Sequence, residues 1–205
     1  MTWQELIWSV SRGPIVLFST ATTGVHHTDT LLAVSYCKIQ EDGSEELSTL
    51  FQLVPIERAL QGVDYHHITI HTLSEQGLEK PEFERRVNAL FDGVTAFSYN
   101  PTFQLMALNE MASCDVANVY DLALTTNTAV NHGMLSAEEL DKVVTPGQLM
   151  TRCAIAAGAP PPFKRMMKMC NIEIDDRSDV LPVVTNVQIL KSFWKRLGET
   201  ELLTY

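Results

Sequence analysis

Four consecutive apolar residues, Ile15-Val16-Leu17-Phe18, constrain this chain more than any other stretch. An apolar run without polar alternation reads as a strand buried on both faces, and such a strand belongs inside a sheet covered by helices. It is followed by small, mostly polar residues, Ser19-Thr20-Ala21-Thr22-Thr23-Gly24. A second apolar, β-branched run covers Leu31–Ile39, and a third strand is expected over 50–54. Between these two runs, Glu41-Asp42-Gly43-Ser44-Glu45-Glu46 carries an Asp-Gly turn signal and is expected to be a solvated hairpin tip rather than a metal loop. The first strands therefore form an antiparallel set.

Helical signals flank and follow that set. Thr2-Trp3-Gln4-Glu5 is a capping-box pattern, and Trp3, Leu6, Ile7 and Val10 recur at helical spacing before Ser11-Arg12-Gly13-Pro14 stops the helix. Residues 1–12 are thus expected to form an N-terminal helix packing on one domain, 13–205. Phe83, Val87, Leu90 and Phe91 predict a helix over 82–91. Strand 94–99, helix 103–111 and strand 116–121 follow. Helices are predicted over 148–157 and Phe163–Met169, separated by Gly158-Ala159-Pro160-Pro161-Pro162. A closing helix over 183–196 is entered after Pro182. With no internal repeat or long linker, the order implies a single mixed α/β domain.

The formal net charge is −10. A general backbone-gripping nucleic-acid binder draws affinity from phosphate neutralisation, so the acidity counts mildly against one and suits solubility. Cys37, Cys114, Cys153 and Cys170 show neither Cys-x-x-Cys nor zinc-finger spacing and are expected to be reduced, mostly buried thiols. No signal peptide is visible, and no uncharged stretch reaches the ~18 residues of a membrane span. A cytoplasmic protein without a membrane partner is expected.

Several segments together resemble the DnaQ-like (DEDDh) 3′–5′ exonucleases, the family that includes ribonuclease T. Residues 15–24 have the shape of the family's first motif, an apolar strand followed by Asp-x-Glu-Thr-Thr-Gly, with Ser19 at the Asp position and Ala21 at the Glu position. Tyr65-His66-His67-Ile68-Thr69 is similar to the family's His-Gly-Ile-Thr segment. Residues 94–104 resemble the second motif, Val-Ala-His-Asn-Ala-x-Phe-Asp; Asn100 and Phe103 match it, and Gln104 replaces its Asp. Val119-Tyr120-Asp121-Leu122 resembles the strand ending in Asp-Thr-Leu, and 163–172 the Leu-x-x-Leu-x-x-x-x-Gly-Ile helix. The third motif, His-x-x-x-x-Asp, falls on 181–186, with Leu181 for the His and Asn186 for the Asp. Asp175, Asp176 and Asp179 lie just upstream, where another register moves one of them inward. The matches keep the family's order from about residue 15 to 197. They imply a ribonuclease-H-like α/β fold: a mixed five-stranded sheet, its first three strands antiparallel, flanked by helices.

The resemblance also says what is missing. Active members hold two Mg²⁺ ions that stabilise the attacking and leaving oxygens of a phosphodiester. Mg²⁺ prefers charged oxygen ligands and gives up its waters reluctantly. At the four carboxylate positions this chain has neutral Ser19, Ala21, Gln104 and Asn186, and Leu181 cannot act as a general base. Five departures look like natural drift after loss of catalysis. The expected function is a catalytically inactive exonuclease-like protein, with no cofactor and no metal. Its cleft is retained for a single-stranded nucleic acid, a nucleotide or a protein partner. Thr22, Thr23, Gly24, His67, Asn100 and Phe103 are the expected nucleic-acid-binding residues. One alternative is an active exonuclease that recruits Asp175, Asp176 or Asp179 to hold Mg²⁺ or Mn²⁺. Another is a structural partner domain with a filled cleft.

Other candidates read as ordinary structure. Adjacent pairs such as His26-His27 and His66-His67 point to opposite faces on a strand and make poor two-point ligands. Ser19 and Thr20 lack a Gly-x-Ser-x-Gly context, and no phosphate-cradling Gly-rich loop occurs. Met166, Met167 and Met169 suit core packing. Lys164, Arg165, Lys168, Lys191, Lys195 and Arg196 suit solvated helix faces.

Overall fold

The structure, a computed structural model, describes residues 1–11, 13–24, 29–109, 119–131, 134–135, 138, 141–157, 163–173 and 180–204. His26, His27, Cys114, residues 158–162 and Asp175, Asp176 and Asp179 lie outside that set.

The chain runs α1 (Trp3–Val10), β1 (Ile15–Thr22), β2 (Leu31–Ile39), β3 (Glu45–Gln52), α2 (Ile56–Ala59), α3 (Val63–His66), α4 (Ile70–Gln76) and β4 (Gly77–Leu78). It continues with α5 (Lys80–Phe91), β5 (Thr95–Ser98), α6 (Pro101–Asn109), β6 (Val119–Asp121), α7 (Leu122–Asn131) and β7 (Met134–Leu135). Then come α8 (Pro146–Ala157), α9 (Phe163–Met169), α10 (Pro182–Glu199) and β8 (Leu203–Thr204).

The main sheet has the order β4-β3-β2-β1-β5-β6, with β1, β2 and β3 antiparallel and β5 and β6 parallel to β1. It has six strands where five were expected. The sixth is β4, two residues pairing parallel with the end of β3. Gly77 permits this, because a Cβ there would lie 2.2 Å from the Leu73 carbonyl oxygen. A two-residue strand at the end of a helix has too few residues to show a period. β7 and β8 form a separate small ladder.

β1 is the centre of the fold, buried from Ile15 to Ala21. Its side chains alternate between two cores. Ile15 and Leu17 join Val187, Leu190 and Phe193 of α10 and Trp3 and Ile7 of α1. Val16 and Phe18 join Phe83, Val87 and Phe91 of α5, with the Phe18 and Phe91 rings edge to face at 4.8 Å. A third cluster gathers Ala21, Leu32, Phe51, Ile68, Leu73 and Val183. The α1 capping box is formed: Glu5 N–H donates to Thr2 Oγ1, and Thr2 N–H to the Glu5 carboxylate. Met166 and Met167 are buried in the first core, as are Cys37 and Cys153; burial pushes these thiols up to about 11 and about 12. No helix among the described residues is long and apolar enough to cross a membrane.

Candidate functional site: the cleft at the end of the central strand

β1 outruns its parallel neighbour. Its last pair with β5 is Leu17–Phe97, yet β1 continues to Thr22. Beyond that pair its inner edge has no ladder partner among the described residues, and a crevice opens at the carboxyl ends of the two strands. This is where open α/β sheets take ligands.

The turn into α6 delivers the first functional side chain. Asn100 adopts a left-handed conformation (φ 52°) after β5, and Pro101 opens the helix. The Asn100 carbonyl accepts from the amides of Phe103 and Gln104. Asp121 holds this turn from β6. Burial pushes its carboxyl above the ordinary value, against the backbone amides of Leu124, Ala123 and Asn100 that donate to it. Gln104 thereby sits one turn into α6, beside the free edge of β1. Its Oε1 accepts from the Thr20 amide at 2.7 Å and from Thr20 Oγ1 at 2.8 Å.

On the opposite face of β1, α10 brings Asn186 to Ser19; Asn186 Nδ2 donates to Ser19 Oγ at 3.3 Å. Ala21 is packed with Val183 and Ile68. Leu181 is the N-cap residue of α10, half-buried against the same cluster. The positions where the resemblance puts carboxylates therefore lie along the end of β1: Asn186 bonds Ser19, and Gln104 bonds Thr20, between Ser19 and Ala21.

Beside them lies a cleft of about 650 Å³. Ala21, Thr22, Thr23, Gly24, Phe103 and Asn186 line it, as do Thr20, Asp29, Gln61, Gly62, Tyr65, His66, Pro182 and Val183. Tyr65 stands at the rim, 84% exposed. Asp29 is the one carboxylate among these lining residues, and none is Lys or Arg. Among the described residues no three His, Cys, Asp or Glu side chains converge. Thr22 Oγ1 donates to the Gly24 carbonyl, and Thr23 Oγ1 accepts from the Thr30 amide, which ties Thr23 to Thr30 just ahead of β2.

Two of the expected binding residues lie elsewhere. Asn100 is exposed and acts through its backbone. His67 caps α3 in a left-handed conformation (φ 57°), with Nε2 3.1 Å from the Asp64 carbonyl oxygen. His66 lines the cleft instead. A signal for this was present: His67 occupies the glycine position of His-Gly-Ile-Thr, the position that needs positive φ. Tyr65, Gln61 and Gly62 carried no such signal.

The sequence matches no family model and no curated protein. Solved structures do match. A structure of exonuclease I aligns with a TM-score of 0.62 and 14% identity over 92% of this chain and 41% of that one. Escherichia coli exonuclease I bound to a dT13 oligonucleotide gives 0.60 and 16%, again over 92% and 41%. Exonuclease I of Methylocaldum szegediense gives 0.55 and 16%, over 91% and 40%. The chain thus spans about two fifths of the length of these proteins, and over that span it has the DnaQ-like, ribonuclease-H-like exonuclease fold.

Proposed function

We propose that this protein is a non-cleaving relative of the exonucleases that uses its cleft to bind the end of a single-stranded nucleic acid, or a nucleotide, by base and sugar. One observation carries the reading. The cleft is open, while the four side chains beside it are neutral and engaged with the fold itself. Gln104 serves Thr20, Asn186 serves Ser19, and Ala21 is part of an apolar cluster. Such a set has little to offer Mg²⁺, which needs charged oxygens.

The lining favours bases over phosphates. It holds no cation among its described residues, so phosphate neutralisation contributes little there. It does hold two aromatic rings, Tyr65 and Phe103, together with amides and hydroxyls. Stacking on such rings contributes about 1–3 kcal/mol per base and tolerates any sequence. The exonuclease I complex with dT13 supports the choice of a single strand as ligand.

The test is fluorescence anisotropy with a labelled oligodeoxythymidylate in EDTA, paired with a degradation assay in Mg²⁺ or Mn²⁺. Binding is expected without metal, with a shallow salt dependence and no digestion. Tyr65→Ala and Phe103→Ala should each weaken it by roughly 5- to 100-fold, the equivalent of one stacked base. EDTA-sensitive digestion that disappears in a cleft variant would overturn the reading, as would binding indifferent to both ring deletions.

A further inference from the structure

The cleft wall opposite β1 is made by residues 61–68, and one ring holds it in shape. His66 is 4% exposed. Its Nε2 is 2.9 Å from the Gln61 carbonyl oxygen, so this nitrogen carries the proton and donates. Its Nδ1 accepts from the Ile68 amide at 2.9 Å. The ring therefore ties the two ends of the segment together as a single neutral tautomer. Ile68, fully buried in the cluster with Ala21 and Val183, anchors one end. Gly62 seats the other. It has φ 70°, and a Cβ there would lie 2.5 Å from the Thr23 carbonyl oxygen. Gln61, Gly62 and Tyr65 of this segment all belong to the cleft lining.

We propose that His66 is a positioning residue that braces the cleft wall only while neutral, so that acid releases the wall and weakens ligand binding. A second ring proton has one place to go, Nδ1, and there it meets the Ile68 N–H head on. Two donors cannot share that contact, so the ring or the Ile68 amide must move. The choice of ligand rests on the proposed function; the brace itself does not.

The surroundings set the direction. Burial holds the ring's pKa below the ordinary 6.5, and the neighbouring charge of His67 pushes the same way, against the Gln61 carbonyl. Among the described residues, the other charged groups on its own turn and in the shared lining are Asp64 and Asp29; Pro182, Val183 and Asn186 of α10 are uncharged. A histidine whose folded-state pKa is depressed leaves stability intact above about 6.5 and removes it as pH falls from there through the folded value.

The experiment is a titration of the full chain from pH 7.5 to 5 with nitrogen-15 imidazole and amide NMR, alongside anisotropy with the labelled oligodeoxythymidylate. The His66 ring should show the Nε2–H tautomer at high pH. On titrating it should move the amides of Gln61, Gly62, Tyr65 and Ile68 together. Affinity should fall by up to about tenfold per pH unit below the ring's pKa. His66→Gln keeps a donor for Gln61 and cannot gain a proton, so its binding should be flat across the range. A ring that protonates without moving those amides overturns the brace, as does His66→Gln with the parent's pH profile. Should the oligonucleotide fail to bind at any pH, the proposed function falls, while the amide shifts of the unsubstituted protein still decide the brace.

Discussion

Replacing Gln104 with alanine would remove one oxygen that serves two buried donors, and the structure sets how much that should cost. The side chain is 8% exposed, and its Oε1 accepts from the Thr20 amide and hydroxyl. The amide cannot turn away, because β1 is fixed on its other side by its pairing with β2. A buried donor left without an acceptor costs about 1–3 kcal/mol. The hydroxyl can rotate, so its loss is nearer the ~1 kcal/mol of an ordinary hydrogen bond. Together these give about 2–4 kcal/mol. For a protein of this length that is a drop in Tm of roughly 5–12 °C.

Urea unfolding in EDTA measures this directly, with an unchanged slope showing that the loss lies in the native state. Thr20→Val separates the parts, since it removes the hydroxyl bond and keeps the amide bond. The double-mutant cycle should show a coupling of about 0.5–1.5 kcal/mol. Gln104→Ala costing less than about 0.5 kcal/mol, within the range of ordinary surface changes, would refute the claim that this position has become a structural support for β1.

Two further outcomes are expected. The fourfold variant Ser19→Asp, Ala21→Glu, Gln104→Asp, Asn186→Asp should unfold earlier than the parent in EDTA and be stabilised by Mn²⁺, by about 2.7 kcal/mol at a hundredfold excess over Kd; calorimetry on a folded variant that takes up no more metal than the parent would refute the alignment of these positions. Gly62→Ala forces a side chain into a left-handed turn and against the Thr23 carbonyl, so it should cost about 1–3 kcal/mol in urea unfolding and weaken oligonucleotide binding; a neutral result would mean that the wall is not seated against Thr23 as described.

The sheet centre could be read from the sequence because burial on both faces leaves one pattern, an unbroken apolar run. β3 could be read only in part. It begins at Glu45 rather than 50, because Glu45, Glu46 and Leu47 are exposed and the strand is fixed there by its backbone pairing with β2. α7 gave no helical signal, since Thr125, Thr126 and Thr128 read as loop residues. In the structure all three are buried, and their hydroxyls donate to the carbonyls of Asp121, Leu122 and Leu124, four residues back. The helices between 56 and 76 are too short to show a period. Residues 56–68 are shaped by two left-handed residues, Gly62 and His67, and by buried Ile68. That segment builds the cleft wall, so Thr22, Thr23, Gly24 and Phe103 of the lining could be singled out from motifs, while His67 and Asn100 lie outside it and the wall residues Gln61, Gly62 and Tyr65 gave no signal.

The same local chemistry bears on what holds the cleft in shape. Four clustered carboxylates repel one another without metal, so a site built of them draws stability from its ions. Here the neutral side chains at these positions are tied into the fold. Gln104 closes the open edge of β1, Asn186 links α10 to it, and Ala21 joins the cluster that anchors Ile68. Through Ile68 and His66, that cluster also supports the far wall. The cleft's shape therefore depends on contacts between neutral groups on both sides. Introducing carboxylates at these positions one at a time would remove such a contact before a metal site exists to compensate, so single substitutions should destabilise the protein whether or not metal is present.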